Sequence, residues 1–193
     1  RMATEIELKV RVDSHGPARE RLKALGGEYV GTVIERNTML DRGDGSLRAS
    51  GCGLRVRATT VLDGKNPGSK ITYKGPSRSS TLKCREEVEA KVENGDDAIA
   101  VLERLGFRRS VEYHKKRERW RLDDCVVELD EPARLGLFVE IEGPNEDSIR
   151  AIQKRLGLEA LQHVSSSYVE MTMRYCEEHG IKDHKLTMPA GLT

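Results

Sequence analysis

Residues 4–12 read T-E-I-E-L-K-V-R-V, with isoleucine, leucine and valine at the even positions and Glu5, Glu7, Lys9 and Arg11 at the odd ones. Strict alternation of this kind predicts a strand whose two faces meet different surroundings. The decision about fold lies in which face points inward. A row of two acids and two bases is either a solvated surface or the wall of a charged interior.

The rest of the chain repeats the pattern. Period-two segments predict strands at 4–12, 32–40, 53–60, 69–75, 84–92, 112–122, 125–131 and 137–142. Charged and polar residues share a face in most of them. Arg55 pairs with Arg57 in this way, and Lys70 with Thr72 and Lys74. Arg85, Glu87, Glu89 and Lys91 form another row, as do Lys115, Arg117, Arg119 and Arg121. Glu128 goes with Asp130, and Glu140 with Glu142. Residues 64–68, G-K-N-P-G, predict a hairpin turn.

Helical spacing and punctuation predict helices over 17–25, capped by Asp13 or Ser14; over 97–105, capped by Asp96; over 146–156, capped by Asn145; and over 166–179. The first three end at Gly26, Gly106 and Gly157. Each carries an apolar stripe, for example Ala18, Leu22 and Leu25. A unit recurs three times: a Glu-x-Glu strand leading to a capped helix that ends in Leu-Gly. The three Glu-x-Glu units begin at Glu5, Glu87 and Glu140, which points to similar surroundings for each strand.

For one strand alone, an antiparallel sheet with its charged face in water is the ordinary reading. The helical stripes argue otherwise, because they need an apolar surface to cover. The outer face of a closed sheet provides it. The expected fold is therefore α+β, an eight-stranded antiparallel β-barrel with a charged lumen and helices packed outside. Residues 1–180 form one domain, and 181–193 a loose polar tail.

The chain has 193 residues, 34% of them charged, yet its net charge is only +1. That balance disfavours a protein that coats nucleic acid by a general field, and stacking aromatics are scarce. The four cysteines are far apart in sequence, without a C-x-x-C, so reduced thiols are expected rather than zinc or disulfides. No apolar run approaches the ~20 residues that span a bilayer, and no signal peptide opens the sequence. A cytoplasmic location is the expectation. The histidines fall outside the charged rows and suggest no catalytic role.

Two like charges 4–6 Å apart repel by roughly 3–4 kcal/mol at an effective dielectric near 20. Acids gathered in a lumen need a cation to stay ionised, and bases need an anion. A hard divalent metal satisfies the acids through oxygen, and a polyphosphate satisfies the bases. Glu5 and Glu7 are next-but-one neighbours on one face, so both reach a single ion, with Lys9 one step further along.

These residues resemble the CYTH superfamily, the triphosphate tunnel metalloenzymes. Glu5-x-Glu7-x-Lys9 resembles that family's E-x-E-x-K. Leu54-Arg55-Val56-Arg57 resembles its L-R-x-R, Thr72-Tyr73-Lys74 its T-x-K, and Arg85-Glu86-Glu87-Val88-Glu89 its R-E-E-x-E. Lys115-Lys116-Arg117 resembles K-x-R, and Leu129-Asp130 with Leu135-Gly136 and 138–142 resembles L-D…L-G-x-F-x-E-I-E. Ser167-Tyr168 resembles a late S-Y. The motifs fall in the family's order and cover about residues 4–175.

The resemblance implies roles. Glu5 and Glu7, with Glu140 and Glu142, resemble the carboxylates that hold Mg2+ or Mn2+, assisted by Asp130. Lys9, Arg55, Arg57, Lys74, Arg85, Lys115 and Arg117 resemble the triphosphate cradle, and Glu5, Glu7, Lys9 and Lys74 carry the catalytic work. Glu87 and Glu89 are expected to hold bases in place. The implied substrate is a triphosphate-bearing small molecule, ATP or tripolyphosphate. The implied reaction is cyclisation of ATP to cyclic AMP and pyrophosphate, or hydrolysis of a triphosphate, and the sequence leaves both open. The resemblance also allows a homodimer.

One stretch departs from the pattern. Where the family commonly reads D-T-Y-F, this chain has Asn37-Thr38-Met39-Leu40, so the tyrosine of animal-type thiamine triphosphatases is missing. Gly53-Leu54-Arg55 and Leu135-Gly136 look more like the bacterial class IV adenylyl cyclase-like branch. The rival reading from another class is a catalytically silent polyphosphate- or nucleotide-binding module. A complete acid set argues against it, because a binder needs the bases more than the carboxylates.

Overall fold

The computed structural model describes residues 2–64, 68–76 and 83–189. The eight long strands are β1 (Met2–Val12), β2 (Glu28–Arg42), β3 (Gly53–Gly64), β4 (Ser69–Lys74), β5 (Lys83–Val92), β6 (Phe107–Leu122), β7 (Cys125–Pro132) and β8 (Leu137–Gly143). They are joined in the order β2-β3-β4-β5-β1-β8-β7-β6, and β6 pairs back onto β2. All these pairings are antiparallel. Among the described residues the hydrogen-bonded circuit therefore closes.

β2 and β6 run longer than expected, starting and ending well beyond 32–40 and 112–122. They pair with each other from Glu28↔Arg121 to Arg42↔Phe107, with irregularities at Tyr29/Gly31 and Met39/Leu40. Alternation fades at their ends, so only pairing could extend them. Residues 65–67 of the expected hairpin turn lie outside the described residues. The three Glu-x-Glu strands, β5, β1 and β8, prove to be consecutive in the sheet.

The helices are α1 (Gly16–Ala24), α2 (Ser46–Ala49), α3 (Gly95–Arg104), α4 (Glu146–Arg155) and α5 (Tyr168–Glu178). The single turn α2 was not foreseen. Two caps differ from expectation. The Asn94 side chain, not Asp96, accepts from the first amides of α3, and α1 starts after His15 with no side-chain cap. Asn145 caps α4 as expected, and Ser167 with Glu170 forms a capping box on α5. The Leu-Gly stops behave alike: Gly26, Gly106 and Gly157 are left-handed, with φ of 78°, 92° and 68°.

Apolar strand residues do face outward beneath helices. α1 and α4 cover Leu8, Val10, Val127, Leu129, Val139 and Ile141 with Leu22, Ile149 and Ile152. α3 lays Ile99 over Leu54 and Val56. The inner face is charged: Lys9, Glu35, Arg57, Lys115, Arg117, Glu128, Asp130 and Glu140 are all buried. α5 closes one end of the lumen, where Tyr168 packs with Phe138 and Tyr113.

The tail expected to be loose from 181 is packed up to residue 189 at least in part. A two-residue strand, β9 (Lys185–Leu186), pairs parallel to β6, and Leu186 is buried in the cluster under α5. One apolar residue in a polar stretch supplied the anchor that composition hid.

Ile141 is fully buried between β8 and α4, whereas Leu105 at the end of α3 is 70% exposed. Ile141→Ala is expected to cost about 2–5 kcal/mol, and Leu105→Ala no more than about 0.5 kcal/mol. Urea unfolding of both variants checks the outward orientation of the apolar strand face.

Candidate active site

Strand register places the charged rows next to one another. Lys9 lies opposite Glu140, and Glu7 opposite Glu142. Glu140 lies opposite Glu128, and Asp130 opposite Arg117. Across the closure, Lys115 lies opposite Glu35. Arg57 faces Asn37 on one side and Lys70 on the other; Thr72 lies between Arg55 and Glu89, and Lys74 opposite Glu87. The wall thus sets acids beside bases at most crossings, with two acids side by side at Glu128 and Glu140 and two bases at Arg57 and Lys70.

The centre is Arg117. Its guanidinium donates to both oxygens of Asp130, from Nε to Oδ1 at 2.6 Å and from Nη2 to Oδ2 at 2.5 Å. Nη2 also donates to Glu140 Oε2 at 2.6 Å, and Nη1 pairs with Glu128. Lys115 Nζ lies 2.9 Å from Asp130 Oδ2 and 3.5 Å from Glu35 Oε2. Lys9 Nζ lies 3.6 Å from Glu140 Oε1. Arg57 donates to Asn37 Oδ1 at 3.0 Å and pairs with Glu35 Oε1 at 3.0 Å. Along the same face, Arg119 pairs with Glu128, Lys70 with Glu89 and Lys74 with Glu87.

These pairs set the protonation states. Burial pushes the Asp130 carboxyl up, but Arg117 and Lys115 overwhelm that effect and hold it well below the usual carboxylate range. Glu35 follows the same logic: burial raises it, and Arg57, Lys115 and Arg117 together bring it well below that range. Glu140 goes the other way. Burial, then the negative charges of Asp130 and Glu7, push it up to about 7 against the pull of Lys115 and Arg117. Its own basic neighbours do not offset burial and the nearby acids.

Glu128, Asp130 and Glu140 present carboxylate oxygens within 4.8 Å of one another. An all-oxygen donor set of three buried acids suits a hard divalent cation. The guanidinium of Arg117 pairs with the same three carboxylates, so an ion would share or replace its contacts, while the donor chemistry itself suits one. The residues present therefore fit such an ion.

The expected carboxylates are not all in this cluster. Asp130 and Glu140 are. Glu7 is half-buried one register step away, and Glu142 is exposed. Glu5 is opposite Arg85 in the strand register, but its side chain lies outside the described residues. Of the expected bases, Lys9, Arg57, Lys115 and Arg117 are buried together, while Arg55, Lys74 and Arg85 are half-buried on β3, β4 and β5.

Three residues without an expected role belong to the same network. Glu128 was placed on the Asp130 face but given no part in metal binding. Glu35 was not singled out, because Arg36 and Thr38 blur the alternation of β2 and conceal which face is inside. Tyr168 was noted only as half of an S-Y motif. Its hydroxyl donates to Asp130 Oδ2 at 2.9 Å, and its ring lies under Lys9 and Lys115, with Nζ atoms 4.2 and 4.7 Å from the centroid. The capping box on Ser167 fixes the turn that delivers it.

Comparison with known proteins gives a consistent picture. The CYTH domain profile matches residues 3–168. A Methanocaldococcus jannaschii protein named "Putative adenylate cyclase MJ0240" is 27% identical over 176 residues, covering 86% of this chain and 97% of its own. The PH1819 protein of Pyrococcus horikoshii superposes with a TM-score of 0.75 at 25% identity, over 89% of this chain and 99% of its own. HpAC1 from Hippeastrum, named a "Putative adenylyl cyclase" that reveals a dominant triphosphatase activity, shares the fold with a TM-score of 0.64 at 19% identity. That likeness covers 98% of this chain and all of HpAC1.

Replacing Arg117 by Met would strip the main positive partner from three buried acids. Breaking a buried pair in this way typically costs about 3–5 kcal/mol. Arg117→Met is expected to lose that much in urea unfolding, and millimolar Mn2+ is expected to stabilise the variant more than it stabilises the wild type.

Proposed function

This chain belongs to the CYTH domain family, and on that footing we propose that it is a divalent-metal-dependent enzyme acting on triphosphate-bearing small molecules. One observation carries the reading. A single buried lumen brings together inward-facing bases from β1, β3 and β6 and an all-oxygen acid cluster from β7 and β8. A polyphosphate chain is the ligand that matches both, with anionic oxygens for the bases and for a cation held by the acids.

In this reading Lys9, Arg57, Lys115 and Arg117 form the floor of the cradle, and Arg55, Lys74 and Arg85 extend it along β3, β4 and β5. They spread the charge that builds on the phosphoryl oxygens as a P–O bond breaks. Glu5, Glu7, Asp130, Glu140 and Glu142 are the proposed cation carboxylates, and Glu128 joins them. Mg2+ or Mn2+ held there would offset phosphate charge and lower the pKa of a bound water or hydroxyl. Tyr168 holds Asp130 and supports Lys9 and Lys115 from below. A cytoplasmic location is part of this proposal, as the compartment that holds such substrates. Among the described residues no helix is long and apolar enough to cross a membrane.

Hydrolysis is the first reading. The inner-face aromatics Tyr113, Phe138 and Tyr168 pack against one another at the closed end, and Trp120 packs outside with Tyr29. Among the described residues, no aromatic of the lumen stands apart to stack a nucleobase. The site recognises the triphosphate group more than what it is attached to. Cyclisation of ATP is the second reading, supported by the name of the archaeal relative. There the ribose 3′-oxygen attacks the α-phosphorus and pyrophosphate leaves.

Phosphorus NMR of product mixtures separates the readings. Orthophosphate from tripolyphosphate, with no cyclic product from ATP, is expected in Mg2+ or Mn2+. Cyclic AMP with pyrophosphate would establish the cyclase instead. Tight binding with no product from either substrate would leave a binding module. Glu7→Gln is expected to reduce metal-dependent turnover at least a hundredfold with an unchanged melting temperature. Lys74→Ala is expected to raise KM about tenfold, equivalent to ~1.4 kcal/mol of lost binding.

A further inference from the structure

Glu35 does not belong to the acid cluster. It projects from β2 into the lumen against Arg57, Lys115 and Arg117, sharing the last two with Asp130. Its Oε1 lies 3.0 Å from Arg57 and 4.0 Å from Arg117 Nε, and its Oε2 lies 3.5 Å from Lys115 Nζ. The residue is 2% exposed, and Oε2 has no hydrogen-bond partner in good geometry among the described residues. One oxygen is thus paired closely with Arg57 while the other faces Lys115 at longer range.

This position is costly for a tunnel that binds anions. A carboxylate fixed within ion-pair distance of three bases occupies the electrostatic place of a phosphate oxygen. It neutralises part of the field that a polyphosphate would otherwise feel, and it repels that ligand directly. It also bridges Arg57 of β3 to Lys115 and Arg117 of β6 when no ligand is bound.

We propose that Glu35 is the resident counter-anion of the cradle, a specificity-determining residue that limits how tightly the lumen holds polyphosphate and so permits product to leave. The proposal rests on the reading of Arg57, Lys115 and Arg117 as phosphate-binding residues. It makes a prediction opposite in sign to that for a merely structural acid. Removing the charge while keeping the shape should strengthen anion binding and slow turnover. Loss of a structural residue should weaken both.

The test is calorimetric titration with tripolyphosphate and with pyrophosphate, together with steady-state kinetics, on the wild type, Glu35→Gln and Glu35→Asp. For Glu35→Gln, the Kd for tripolyphosphate is expected to fall at least tenfold. Inhibition by pyrophosphate is expected to tighten by a similar factor, and kcat to drop while KM falls with it. Glu35→Asp keeps the charge one methylene further from the bases and is expected to fall between the two. Equal or weaker tripolyphosphate binding by a folded Glu35→Gln overturns the proposal. Should the Gln variant fail to fold, wild-type affinity in Glu35→Asp overturns it instead. Absence of tripolyphosphate binding by the wild type would reject the cradle reading itself, so the two failures are distinguishable.

Discussion

The pairing of Arg117 with Asp130 is the interaction on which the interior depends. A carboxylate fully removed from water costs several kcal/mol unless its partner is close and well oriented. Here the guanidinium meets both oxygens of Asp130 and extends to Glu140 and Glu128. Lys115 and the Tyr168 hydroxyl complete the coordination of Asp130. With that node in place, the acids of β7 and β8 and the bases of β1 and β6 can share one wall without water to separate them.

The inverted arrangement explains why the helices are where they are. A barrel filled with charge cannot supply its own hydrophobic core, so apolar burial must come from outside. α1 and α4 provide it across β1, β7 and β8, and α3 across β3. α5 has a different task. It closes one end, and through Tyr168 it touches bases on two strands and the acid between them. Its geometry therefore bears directly on the site, which is why a helix cap at Ser167 matters to the charged centre.

The lumen is also balanced within itself. Nearly every base described there has a carboxylate partner, and Glu140 is raised to about 7 by burial and its acidic neighbours. A site of this kind exchanges internal partners for ligand ones. Its affinity reflects a difference between two sets of ion pairs, not the strength of either set alone.

Local pattern was enough to reveal much of this. Period-two alternation located all eight strands, and the charged rows of β1, β6, β7 and β8 identified Lys9, Lys115, Arg117, Asp130 and Glu140 as inward. Helical stripes without another surface to cover showed which side was out. Those signals are legible because alternation and amphipathicity are properties of neighbours in sequence. Closure of β2 onto β6, the burial of Leu186 and the entry of Tyr168 from α5 depend on residues far apart in the chain, and no local period encodes them. The choice of acids was decided in the same way. Strand register set Glu128 beside Glu140 and left Glu142 exposed, and it placed Glu35 among three bases. Pairing between strands, which sequence order does not specify, determines which charges meet.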